Sequence, residues 1–189
     1  VKPAASINAV PDQQDRLIAW FAALAIAIHI LEASFPSPVP GIKPGLANAV
    51  TLIVLLRHGL RAAIWVGALR VLVGSLLVGS LMTPTFWLSA SGATLSILVL
   101  CLGAAWNRAL PAARLSAIGL SVLAALAHMS GQFFVAYRLF IPHPGLLRLL
   151  PLLLGAALLF GTVTGWIASR ILARLPPLAT SAVGDEAPR

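Results

Sequence analysis

The chain has 189 residues, of which 59% are hydrophobic and 10% charged, with thirteen basic and five acidic side chains. Its mean hydropathy is +0.96, which excludes an ordinary water-soluble enzyme and places the chain in a membrane. The net charge of +8 does not indicate nucleic acid, because the basic residues are scattered at the ends of apolar runs and form no recognition face; membrane lipids are the expected partners.

Residues 1–16 read as a cytoplasmic amino-terminal segment, 17–171 as one all-α polytopic membrane domain, and 172–189 as a flexible cytoplasmic tail. Six apolar runs mark a six-helix bundle: about Leu17–Phe35, Gly45–Leu56, Leu60–Leu81, Phe86–Trp106, Leu115–Tyr137 and Leu149–Ile171. A helix needs roughly 20 residues to cross a bilayer core. The second run is too short for that, and reads as a half-membrane, re-entrant or sheltered helix. The first run follows Asp12, Asp15 and Arg16 and has no persuasive cleavage site, so it reads as a retained transmembrane helix rather than a signal peptide.

In the first helix, Glu32 is the one acidic residue between Leu17 and Leu172. A carboxylate at the edge of a bilayer core must be wet, paired or protonated, which makes Glu32 a candidate ligand-binding residue; an interfacial structural partner is the competing reading. His29 lies three residues earlier on the same helix face. The following stretch, Pro36 to Gly45, holds four prolines and two glycines and reads as a stiff excursion, so His29 and Lys43 are candidate gate or vestibule residues. Asn48 opens the short second run. His58 and Gly59, between Arg57 and Arg61, read as a tight turn.

Arg70 falls about 14 Å along the third helix from Arg61, near mid-depth. It needs an acceptor, a wet cavity or an anionic ligand; Glu32, Asn48 and Gln132 are the available side-chain acceptors, and a substrate or lipid phosphate is the alternative. Gly67, Gly74 and Gly79 make this helix easy to approach, and Pro84 ends it or begins the next. Cys101 stands alone and reads as helix packing. In the fifth helix, His128 and Gln132 share a face, Gly131 between them admits a neighbouring backbone, and Phe133, Phe134 and Tyr137 are expected to supply an apolar wall. His143 sits between two prolines and reads as structural. Gly155, Gly161 and Gly165 make the sixth helix another close-packing surface.

The helix ends give a consistent orientation. Nine basic residues (Lys2, Arg16, Arg57, Arg61, Arg108, Arg114, Arg170, Arg174 and Arg189) fall on one side and three (Lys43, Arg138 and Arg148) on the other. The positive-inside rule then puts both termini in the cytoplasm of a bacterial inner membrane. Paired carboxylates, a metal-ligand spacing and a phosphate loop are all missing from the sequence, so no metal site, no catalytic residues and no permanently bound cofactor are expected.

The segments EASFPSPVPGIKPGLANAVTL (Glu32–Leu52), ALRVLVGSLLVGS (Ala68–Ser80) and AHMSGQ (Ala127–Gln132) together resemble the Gx transporter family, small membrane proteins also labelled heptaprenyl diphosphate synthase component I. The resemblance spans roughly residues 17–171. It implies a relative of the substrate-binding components of energy-coupling-factor transporters, handling a vitamin-like, flavin-related or quinone/isoprenoid-precursor molecule. The implied partners are a separate ATP-driven coupling module, or membrane redox or isoprenoid-processing proteins. The chain lacks the aspartate-rich motifs of prenyl-diphosphate condensation, so catalysis by this chain alone is not expected. Two readings follow: a substrate-binding or transport subunit, or a noncatalytic scaffold in a redox or isoprenoid-processing complex. The candidate ligand-binding set is Glu32, Asn48, Arg70, His128 and Gln132, resting on polarity and topology.

Overall fold

The computed structural model describes residues 12–34 and 45–176. The Pro-rich excursion with Lys43, residues 1–11 and residues 177–189 lie outside them. The described residues are all-α: α1 (Gln13–Ser34), α2 (Leu46–His58), α3 (Leu60–Leu77), α4 (Pro84–Ala109), α5 (Ala117–Val135), a single turn α6 (Pro144–Leu147) and α7 (Leu150–Arg174). The six long helices correspond to the six apolar runs. Five of them are long and apolar enough to cross a membrane, and large apolar side chains such as Trp20, Leu31, Phe134 and Leu159 point outward. The protein is a multi-pass helical membrane protein, in which each crossing helix pairs its interior backbone polar groups along its own length.

The helices alternate in direction. α1 packs on α3, α3 on α4, α4 on α5 and α5 on α7, while α2 touches α1, α3, α5 and α7. α2 is therefore the central element. Its 13 residues span about 20 Å, too little to cross, and seven consecutive residues from Ala49 to Leu55 are buried. Burial on every side identifies it as a sheltered helix, surrounded by protein rather than lipid. Gly59 separates α2 from α3 at φ +88° and donates its N–H to the Leu55 carbonyl at 3.1 Å; this left-handed position suits glycine. At the far end of α3, Thr83 is extended and Pro84 is the first residue of α4, where a missing N–H costs nothing.

Close helix approach depends on small residues. A Cβ placed on Gly67 would lie 2.7 Å from Ile97, one on Gly131 would lie 2.8 Å from the Ser91 carbonyl oxygen, and one on Gly165 would lie 2.7 Å from the Ile118 Cα. Gly155 meets nothing within 4 Å, so it is not part of the packing surface expected for that helix. The α4–α5 connection is fixed by Asn107, whose side chain donates to the Leu115 carbonyl at 3.0 Å and accepts the Leu115 N–H at 2.7 Å. His143 caps α6, its Nδ1 accepting the Gly145 N–H at 3.0 Å. α5 ends in a π-helical turn, Ala136–Phe140.

The alternation gathers Arg16, Arg57, Arg61, Arg108, Arg114, Arg170 and Arg174 at one end of the bundle and leaves Arg138 and Arg148 at the other. Arg57 also donates to the Pro176 carbonyl at 2.5 Å, tying the end of α2 to the residues after α7.

Candidate functional site

A cavity of about 380 Å³ lies within the bundle, walled by α1 to α5 and α7. It contains His29, Glu32, Asn48, Arg70, His128 and Gln132, so the structure brings all the described members of the sequence-predicted set to one space. Its apolar wall is built from Leu88, Met129, Ala156 and Phe160. The expected wall of Phe133, Phe134 and Tyr137 is not there: Phe133 and Tyr137 stack on each other at 6.3 Å, and Arg138 lies over an exposed Phe134 at 5.8 Å. Steps of one or two residues from Gln132 rotate a side chain to another helix face, which is why these rings miss the space that His128 and Gln132 share.

Arg70 is 7% exposed, the one charged side chain buried among the described residues. It donates from Nη1 to Asn48 Oδ1 at 2.8 Å, while Nε is buried without a partner. Asn48 is thus the acceptor that the sequence offered among three. α2 presents it from within its first turn, so the sheltered helix delivers a neutral oxygen to a buried guanidinium. A neutral acceptor leaves donors of the planar fork for another group.

Glu32 takes a different partner. Its Oε1 accepts the N–H of Leu46 at 2.6 Å. Leu46 is the first residue of α2, and Gly45 before it supplies no side-chain cap. A carboxyl group from α1 therefore satisfies an orphan donor at the positive end of α2. This explains how a lone carboxylate is tolerated at this depth. It also places Glu32 at the rim, engaged by backbone, with Arg70 and Glu32 both bonded to α2.

His29 rests against Gly74, where a Cβ would sit 3.0 Å from its ring. His128 and Gln132 are 3.1 Å apart, Nε2 to Nε2, and both lie against Gly92. Ser130, between them in sequence, is exposed. Four hydroxyls that composition alone did not single out also line the cavity, all buried: Thr51, Ser96, Ser121 and Thr164. Among the described residues no group of three His, Cys, Asp or Glu side chains is placed to hold a metal. What the arrangement offers chemically is recognition: one fixed cation, amide and imidazole hydrogen-bonding groups, and an apolar lining.

Comparison with known proteins gives one result. The model of the family Heptaprenyl diphosphate synthase component I matches residues 21–171, about four fifths of the chain. No curated protein matches, and no solved structure matches. The match overturns the transporter side of the resemblance drawn from the sequence: the matched family is a synthase component, not a substrate-binding component of energy-coupling-factor transporters. The chain belongs to the heptaprenyl diphosphate synthase component I family.

Proposed function

We propose that this protein is a noncatalytic membrane component of an isoprenoid-processing assembly, and that its cavity holds the anionic head of a prenyl diphosphate or a related amphiphile. The observation that carries this reading is Arg70: buried in the bundle, held by a neutral Asn48, with an unpartnered Nε beside a cavity whose walls are partly apolar. A guanidinium suits a phosphate group because its planar donors make paired, charge-assisted bonds. Asn48 positions that fork, and His128 with Gln132 supplies further neutral hydrogen-bonding groups. The family name supports the isoprenoid class. With Glu32 bonded to the start of α2 and no second acid between Leu17 and Leu172, the chain binds and presents rather than condenses.

The orientation follows from the seven arginines at one end against two at the other. We place the protein in a bacterial cytoplasmic membrane with both termini in the cytoplasm. Glu32 and Gly45 then put the cavity rim toward the non-cytoplasmic side, so the ligand reaches it from the leaflet rather than from cytoplasmic water.

The test is equilibrium binding of radiolabelled farnesyl diphosphate, against farnesol, to the protein in lipid nanodiscs, alongside affinity purification from native membranes. Tighter binding of the diphosphate, dependent on Arg70, and recovery of a prenyl-diphosphate-forming enzyme are expected. Equal binding of alcohol and diphosphate would remove the electrostatic basis of the proposal.

A further inference from the structure

Four hydroxyls on or near the outer surface bond to their own helix backbone. Ser34 donates to the Ile30 carbonyl at 2.9 Å, Thr94 to Ala90 at 2.8 Å, Thr162 to Leu158 at 2.8 Å and Ser169 to Trp166 at 2.7 Å. This back-bonding is the usual way a hydroxyl is tolerated in a membrane helix. Thr51 departs from it. It is 4% exposed and its Oγ1 is buried without a partner, on the cavity wall.

Three more buried hydroxyls line the same cavity from three other helices: Ser96 on α4, Ser121 on α5 and Thr164 on α7. Glycine contacts set their spacing. Gly67 brings Thr51 and Ile97, the neighbour of Ser96, against one point on α3, with Thr51 Cγ2 at 3.8 Å from the Cβ position. Gly165, next to Thr164, brings Ser121 Cβ to 2.8 Å from its own Cβ position. Along α2, Thr51 lies about 5 Å beyond Asn48, and along α5, Ser121 lies about 10 Å beyond His128. The cavity therefore has two polar zones: a cationic and amide zone around Arg70, and a neutral hydroxyl zone deeper in, toward the arginine-rich end.

We propose that Thr51, Ser96, Ser121 and Thr164 form a second subsite, which takes a hydroxyl or carbonyl group at the far end of the ligand whose anionic group sits at Arg70. This rests on the reading of the Arg70 zone given above and specifies the ligand class. A wholly apolar prenyl tail would leave the Thr51 hydroxyl, buried without a partner, unsatisfied and would offer nothing to the other three, a penalty that hydrocarbon cannot relieve. A molecule with an anionic head, an apolar spacer of about 5 to 10 Å and an oxygen at its end satisfies both zones. The site thus selects a short, terminally oxygenated isoprenoid-like amphiphile over a long hydrocarbon chain.

The test compares geranyl diphosphate with ω-hydroxygeranyl diphosphate, measured on the full chain in nanodiscs for the wild type, for a Thr51→Val/Thr164→Val double variant and for Arg70→Met. The hydroxylated probe is expected to bind the wild type about tenfold more tightly. In the double variant that preference should fall below about threefold, with geranyl diphosphate binding at least as tightly as to the wild type. Equal affinity of the two probes for the wild type, with Arg70 dependence intact, overturns the hydroxyl subsite and leaves the Arg70 zone standing. A preference that survives the double variant also overturns it. Failure of Arg70→Met to weaken either probe overturns the underlying reading, and the second subsite falls with it. Ser121→Ala, measured separately, gives the same discrimination if the double variant does not fold.

Discussion

Replacing Arg70 by Met removes a guanidinium that is 7% exposed and bonded to one neutral oxygen, Asn48 Oδ1, at 2.8 Å. Two opposing terms set the effect on stability. The lost hydrogen bond from a charged donor is worth about 1.5 to 3 kcal/mol, whereas relief of a buried charge held by a neutral acceptor, through an apolar side chain of similar length, returns several kcal/mol. The expected net change is between zero and about 3 kcal/mol of stabilisation. Ligand binding moves the other way. Two charge-assisted bonds to a phosphate group, discounted for their replacement by solvent in the free state, contribute about 3 kcal/mol, so affinity for farnesyl diphosphate should fall by more than about a hundredfold. Arg70→Lys keeps the charge but loses the paired geometry and should fall by about tenfold. Thermal unfolding followed by tryptophan fluorescence measures the first effect and radioligand binding in nanodiscs the second. An Arg70→Met protein that keeps its affinity, or one that loses stability sharply, would refute the reasoning.

Gly131→Ala and Gly155→Ala should behave oppositely: the first drives a Cβ to 2.8 Å from the Ser91 carbonyl oxygen and should cost about 1 to 3 kcal/mol, while the second meets nothing within 4 Å and should gain up to about 1 kcal/mol from helix propensity, both read by thermal unfolding. Thr51→Val removes a buried hydroxyl with no partner and should raise the stability of the ligand-free protein by about 1 kcal/mol, measured in the same way. His58, at the end of α2 and outside the five spanning helices, packs against Phe21 with ring centroids 5.4 Å apart. Burial, and secondarily Arg57, hold its pKa below the ordinary 6.5. The unfolded chain therefore binds this proton more readily, so stability should fall as pH drops from above 6.5 through the lowered folded value, and His58→Phe should flatten that dependence in a pH series of unfolding curves.

The six helices were legible because each apolar run stands against polar or Pro/Gly punctuation. The nature of α2 was not, since twelve apolar residues suit a half-crossing and a buried helix equally; burial of Ala49 to Leu55 on all sides decides it. His29, Glu32, Asn48, Arg70, His128 and Gln132 were visible because polar side chains in apolar helices must be accommodated somewhere. Their pairing was not visible. Arg70 and Glu32, the obvious ion pair by charge, bond instead to Asn48 and to the Leu46 N–H, because the first turn of α2 comes between the two in the chain's topology and offers each a partner. Thr51, Ser96, Ser121 and Thr164 escaped notice for a different reason: a helical hydroxyl can bond to its own backbone, as Thr94 and Thr162 do, so its sequence carries no sign of the space it faces.

The central claim concerns where an anionic isoprenoid binds, and a density map of the protein saturated with geranyl diphosphate tests it most directly. The account predicts the diphosphate within hydrogen-bonding distance of Arg70 and Asn48, with the chain running past Thr51 toward Ser121 and Thr164. Density for the ligand on the outer face of α1 or α7, with the Arg70–Asn48 hydrogen bond unchanged and no ligand beside it, would contradict it.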